Sequence, residues 1–135
     1  MRVFLDTNVL VSAFTTRGIC ADILTVILAE HELLIGESVL KELARILRRK
    51  MKMPPVTIEE ADTFLRQEGT VVSVESIPEL RVIRDPDDRQ IIAEALAGGA
   101  DLVVSGDRDL LDVAEELPIE VVSPRGFWEK LHGPR

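Results

Sequence analysis

Cysteine is almost missing from this chain: Cys20 stands alone, so no internal disulfide can form, and with no second Cys or nearby His there is no zinc-binding set. Aromatic residues are scarce, at 4%, with no tyrosine. No uncharged stretch approaches the roughly 20 residues a membrane span needs. The opening MRVFLDTNVL sets an acid and an amide where a signal peptide would be apolar. The expectation is a cytoplasmic protein, neither secreted nor membrane-bound. Repeats and low-complexity tracts are absent, and Gly and Pro occur as punctuation. A positive balance is lacking too: 16 Lys and Arg against 24 Asp and Glu leave a net charge of -8. That argues against a protein that coats nucleic acid through overall basicity.

What is present is apolar bulk and segregated charge. At 135 residues and 46% hydrophobic, residues 1–135 are expected to form one domain with a sizeable core. Residues 41–52 carry Lys41, Arg45, Arg48, Arg49, Lys50 and Lys52 against Glu42 alone. Residues 85–120 carry eleven acids against Arg89 and Arg108. Such a distribution suits attraction of phosphates along one strip and retention of cations in the other zone, although charge runs are commonly solvated helix faces.

Helical and strand signals alternate along the chain. Apolar strand-like runs occur at Arg2–Leu5, Leu33–Ile35, Val71–Val74, Leu102–Ser105 and Ile119–Val122. Between them lie helical periods over Asn8–Phe14, Cys20–Ala29, a stretch opened by Ser38 as N-cap, and Thr57–Gln67 with Ala61, Phe64 and Leu65 turned inward. Asp85 as cap and Pro86 as first residue open another helix, which Gly98-Gly99 stops. A further helix is expected through Leu110–Ala114 and a last one over Pro124–Leu131. Continuous apolar strands separated by helices predict a three-layer α/β/α sandwich on a mostly parallel sheet.

In such sheets ligands bind at the carboxyl ends of the strands. Asp6 directly follows the first strand, Asp107 follows the 102–105 strand by two residues, and Asp88 lies in the first turn of a helix between strands. Glu42 stands at the margin of an apolar helix stripe, able to face the same crevice. Capping accounts for Asp85, Asp87, Asp88, Asp107 and Asp109 one at a time, and Glu42 could pair with Arg45 or Arg49. The weight lies in the set. Clustered carboxylates repel one another and call for cations, and oxygen-only ligands select Mg²⁺ or Mn²⁺. One or two such ions suit phosphodiester hydrolysis without a protein nucleophile. Asn8 and Ser105, with Asp85 and Asp109, are the short polar groups placed to support these acids.

The segments VFLDTNVLVSAF, ESVLKELARIL, RDPDDRQIIAEALAGGADLVVSGDRDLL and VVSPRGFWEKL, in that order, resemble the PIN-domain family, and within it the VapC-like ribonuclease toxins of type II toxin–antitoxin pairs. The resemblance maps the family's four acids onto Asp6, Glu42, Asp88 and Asp107, Asp88 being taken over Asp85 and Asp87 for its helix register. It implies a Mg²⁺- or Mn²⁺-dependent endoribonuclease acting on RNA, a homodimer, and a small antitoxin protein as inhibitor. Ser105 stands where the family more often has threonine. Arg45, Arg48, Arg49 and Lys52 are the expected RNA-steering cations.

Two other readings compete. The same fold could act as a catalytically weak or inactive module that binds a partner protein or RNA. A phosphatase of the haloacid-dehalogenase type also starts with a strand and an Asp, but needs a second Asp where this chain has Asn8. The remaining features read as structural: His31 as a surface residue, Phe127 and Trp128 as pins for the last helix, Cys20 as a packed small hydrophobe.

Overall fold

A computed structural model describes residues 1–133. Strand β1 (Arg2–Leu5) is followed by helices α1 (Thr7–Thr15) and α2 (Ile19–Glu30), strand β2 (Glu32–Gly36), and helices α3 (Glu37–Arg49) and α4 (Pro55–Glu68). Then come β3 (Thr70–Val72), α5 (Pro86–Ala97), β4 (Leu102–Val104), α6 (Arg108–Asp112), a 3₁₀ turn (Ala114–Glu116), β5 (Glu120–Val122) and α7 (Pro124–His132). The strands form one five-stranded sheet in the order β3-β2-β1-β4-β5, and every neighbouring pair is parallel. The α/β/α expectation therefore holds, with a sheet that is wholly parallel.

The central strands are buried on both faces, which is why they read as unbroken apolar runs: Val3, Phe4 and Leu5 on β1 and Leu102, Val103 and Val104 on β4 are inaccessible. Helix α2 packs on α1 and on α7, α3 lies against α1 and α4, and α5 crosses β2, β3 and β4. Phe127 anchors α7 in the core, and Cys20 is buried in α2. Among the described residues no single helix is long and apolar enough to cross a membrane.

The chain leaves β1 toward β2 and β3 on one side, and later fills the other side with β4 and β5. The direction of strand addition reverses between β1 and β4, and a crevice opens where the loops after these strands diverge. This is the position that gathers the acids.

Several local expectations are corrected. Ser38 is not the N-cap of α3: the strand runs on through Gly36, which takes the cap position, and Ser38 is the second helical residue. Helix α4 starts at Pro55, two residues before the expected Thr57, with proline at the first position where a missing N–H is harmless. Phe64 is 39% exposed, because it stands about 100° round the helix from Leu65, whose side packs on α3. Strand β3 stops at Val72, with Ser73 and Val74 outside the sheet. The expected helix through Ala114 breaks at Val113, where a 3₁₀ turn takes over.

Candidate metal centre

The crevice encloses about 280 Å³ and is lined by Asp6, Glu42, Asp88 and Asp107 together with Thr7, Asn8, Ser38, Asp87 and Gln90. Each acid reaches it from a different element. Asp6 ends β1, where its own N–H donates to the Val104 carbonyl (3.0 Å), tying it to the end of β4. As N-cap of α1 it accepts from the Thr7 N–H at Oδ1 (2.7 Å), while the Ser105 hydroxyl donates to Oδ2 (2.6 Å). Burial holds its carboxyl above the usual carboxylate range, against the lowering effect of these donors and with a small further push from Asp107.

Ser105 also accepts from the Asp107 N–H (3.0 Å), so one inaccessible hydroxyl joins the acid after β1 to the acid after β4. Asn8 is exposed and its side-chain oxygen accepts from the Gly106 N–H (3.1 Å), holding the β4–α6 loop across the mouth. Asp107 caps α6 through the Asp109 N–H (2.9 Å), and Asp109 itself is exposed and outside the crevice.

On α5 the three crowded acids separate by burial. Asp85 is the exposed N-cap, accepting from the Asp87 N–H (2.9 Å), and Asp87 is exposed at the rim. Asp88 alone is buried. Burial, followed by the Asp107, Asp85 and Asp6 carboxyl groups, pushes its carboxyl up to about 7.

The fourth wall is α3. Glu42 lines the crevice but turns to Arg45, which donates from Nε (3.0 Å) and Nη2. Among the described residues no three acids are drawn up around a common point as ligands of one ion would be. The structure brings the four acids to one crevice and leaves Glu42 engaged outward. Arg48, Arg49 and Lys52 are exposed, and Lys41, Arg45 and Arg48 line one side of an open groove between α3 and α4.

Sequence reasoning gave Ser38 only a capping role and missed both its place at the crevice and its partner Glu94. Glu94 on α5 is 1% exposed and accepts from both the N–H (3.1 Å) and the hydroxyl of Ser38. Its signal was available: an acid inside the run Ile91, Ile92, Ala93 and Ala95 lies on a helix buried nearly all round.

A family model described as PIN domain matches residues 2–109. Among solved structures, a chain of VapBC2 from Rickettsia felis, bound to a DNA fragment from its promoter, superposes with a TM-score of 0.67 at 19% identity, over 91% of this chain and 98% of that one. A chain of VapBC-1 from nontypeable Haemophilus influenzae gives 0.63 at 15% identity, over 93% and 99%. At these identities the likeness is one of fold. No curated protein matches the chain in sequence.

Proposed function

The chain belongs to the PIN domain family, and from that membership we propose that it is a Mg²⁺- or Mn²⁺-dependent endoribonuclease, the toxin of a toxin–antitoxin pair. Asp6, Glu42, Asp88 and Asp107 hold one or two ions. The observation that carries the reading is the convergence of these four acids on one crevice at the switch point of the sheet. The donor set fits a hard divalent cation, since it offers carboxylate oxygens and neither nitrogen nor sulfur. The rise of Asp88 to about 7 reports burial and repulsion that a counter-charge would relieve.

When bound, such an ion eases deprotonation of an attacking water and offsets charge on the phosphate and the departing oxygen. The chain's own residues do the rest. Ser105 and the Thr7 N–H hold the Asp6 carboxylate in one orientation. Asp88 gives up its proton before it can ligate. The exposed cations Arg45, Arg48, Arg49 and Lys52 take backbone phosphates and draw the RNA strand to the crevice. A small antitoxin is the proposed protein partner, supported by the VapBC complexes among the similar folds. A homodimer in the cytoplasm completes the reading.

The test is RNA cleavage with and without Mn²⁺ by the wild-type chain and by Asp6→Asn and Asp88→Asn, with circular dichroism to verify the fold. Cleavage is expected only with metal and only in the wild type. Activity in a chelator, or activity persisting in either variant, overturns the proposal.

One observation favours a second reading, a PIN-fold module that holds RNA or a partner without cutting: the Glu42 carboxylate is engaged by Arg45. Thermal unfolding separates the two. A metal site raises the melting temperature with added Mn²⁺ by mass action, and a binding module without one leaves it unchanged.

A further inference from the structure

We infer that Glu94 is a positioning residue of the crevice, setting α3, and through it Ser38 and Glu42, against the acid of α5. The inference rests on the metal-dependent reading above and assigns a role to a carboxylate that does not itself line the crevice.

The need for it starts at Gly36. The first N–H groups of a helix have no partner inside it and are ordinarily met by a capping side chain. Gly36, the N-cap of α3, has none to offer. A side chain there would displace the carboxylate: a Cβ at position 36 would collide with the Glu94 carboxylate and come within 3.1 Å of Phe4. The missing cap comes instead from a neighbouring helix. Glu94 accepts from the Ser38 N–H (3.1 Å) and from the Ser38 hydroxyl. A carboxylate that is 1% exposed among apolar residues is tolerable only with such donors and the positive end of a helix beside it.

The placement gives the contact its consequence. Ser38 lines the crevice and lies one turn before Glu42 on α3, while Glu94 lies six residues after Asp88 on α5. Direct packing between α3 and α5 is sparse compared with that of α3 on α1 or α4. A single buried carboxylate thus joins the two helices that supply Glu42 and Asp88. Losing it frees the first turn of α3 to shift, and with it the distance between these two acids.

The experiment measures Mn²⁺ binding by calorimetry, and kcat and KM for an RNA substrate, in the wild type, Glu94→Ala, Glu94→Gln, Ser38→Ala and the Ser38→Ala/Glu94→Ala pair. Glu94→Ala is expected to weaken Mn²⁺ binding by roughly 10- to 100-fold and to lower kcat with KM for RNA unchanged, the size seen when groups supporting metal ligands are removed. Glu94→Gln keeps an acceptor for the Ser38 N–H and restores most of both. Ser38→Ala falls in between, and the pair is no worse than Glu94→Ala, because the two residues act as one unit. If Glu94→Ala does not fold, Ser38→Ala and Glu94→Gln carry the test: Ser38→Ala binding Mn²⁺ as the wild type does, or Glu94→Gln losing binding, overturns the inference. A folded Glu94→Ala with wild-type binding and rate overturns it while leaving the nuclease reading intact. A wild type that takes up no Mn²⁺ overturns both.

Discussion

On the sheet side of the crevice Asp6 is 3% exposed and both of its carboxylate oxygens are engaged, by Thr7 and by Ser105. On the α3 side the Glu42 side chain is 39% exposed and rests on Arg45, itself half exposed. The first arrangement is fixed by the sheet: β1 and β4 are hydrogen-bonded along their length, so the acids that follow them cannot separate without opening it. The second is an (i,i+3) ion pair on a helix surface, an interaction worth little in water and easily exchanged for another partner. One wall is prebuilt by the fold and tuned by burial. The other is held by charge and is free to change partners.

The sharpest way to break this comparison is to remove charge from the prebuilt wall and from the buried acid of α5 beside it. Asp6→Asn and Asp88→Asn should each lower metal-dependent cleavage by at least about 100-fold, more than the loss of a group that only supports a ligand. In metal-free buffer Asp88→Asn should also melt above the wild type, because it removes a carboxyl that burial first, and the neighbouring acids second, push up to about 7. A variant that is inactive and more stable in differential scanning calorimetry is the signature of a strained site.

Ser105→Ala comes next. It strips Asp6 of its hydroxyl donor and leaves a buried oxygen unpaired, at a stability loss of about 1–3 kcal/mol. Mn²⁺ affinity at pH 7 should fall by about 10-fold, read by calorimetry. A Ser105→Thr variant keeps the hydroxyl and should lose less of that affinity.

A smaller effect is the pH dependence of the metal-free protein. Asp6 and Asp88 hold their protons in the folded state above the unfolded value of 3.8, so the folded chain binds more protons than the unfolded one in that interval. Stability is therefore fuller at low pH and declines as pH rises through about 7. The melting temperature should drop between pH 5 and pH 8 in chelator. With saturating Mn²⁺ the sign should reverse, since ligation requires the ionised carboxylates.

The smallest effect tests the adaptable wall. Arg45→Gln releases Glu42 from its surface partner and should strengthen Mn²⁺ binding by less than about fivefold, while raising KM for RNA. A large gain would mean that Arg45 locks the wall rather than leaning on it.

Much of this frame was legible from residue order. Continuous apolar runs at β1, β2 and β4 announced strands buried on both faces, and the Asp85-Pro86 start of α5 is where cap chemistry put it. The crevice acids were legible as a set because strand ends and helix starts converge by topology. Capping could not rank Asp85, Asp87 and Asp88, since all three suit a helix N-terminus; burial ranks them, and burial depends on what packs over α5. The Ser38 cap failed for a related reason. A local signal names the nearest serine, whereas the partner of α3 comes from 56 residues further along the chain. Phe64 was misjudged because an apolar residue at the edge of a helix stripe is covered only if the neighbouring helix reaches it.

Strand β1, the first made, is flanked in the sheet by β2 and by β4, which begins at Leu102. During synthesis Asp6 is therefore made long before Ser105 and Asp107, the residues that stand beside it in the fold. A half-translated chain has no crevice at all. The crevice is completed only when β4 slots in beside β1, so the last strands made, not the first, decide when these acids meet.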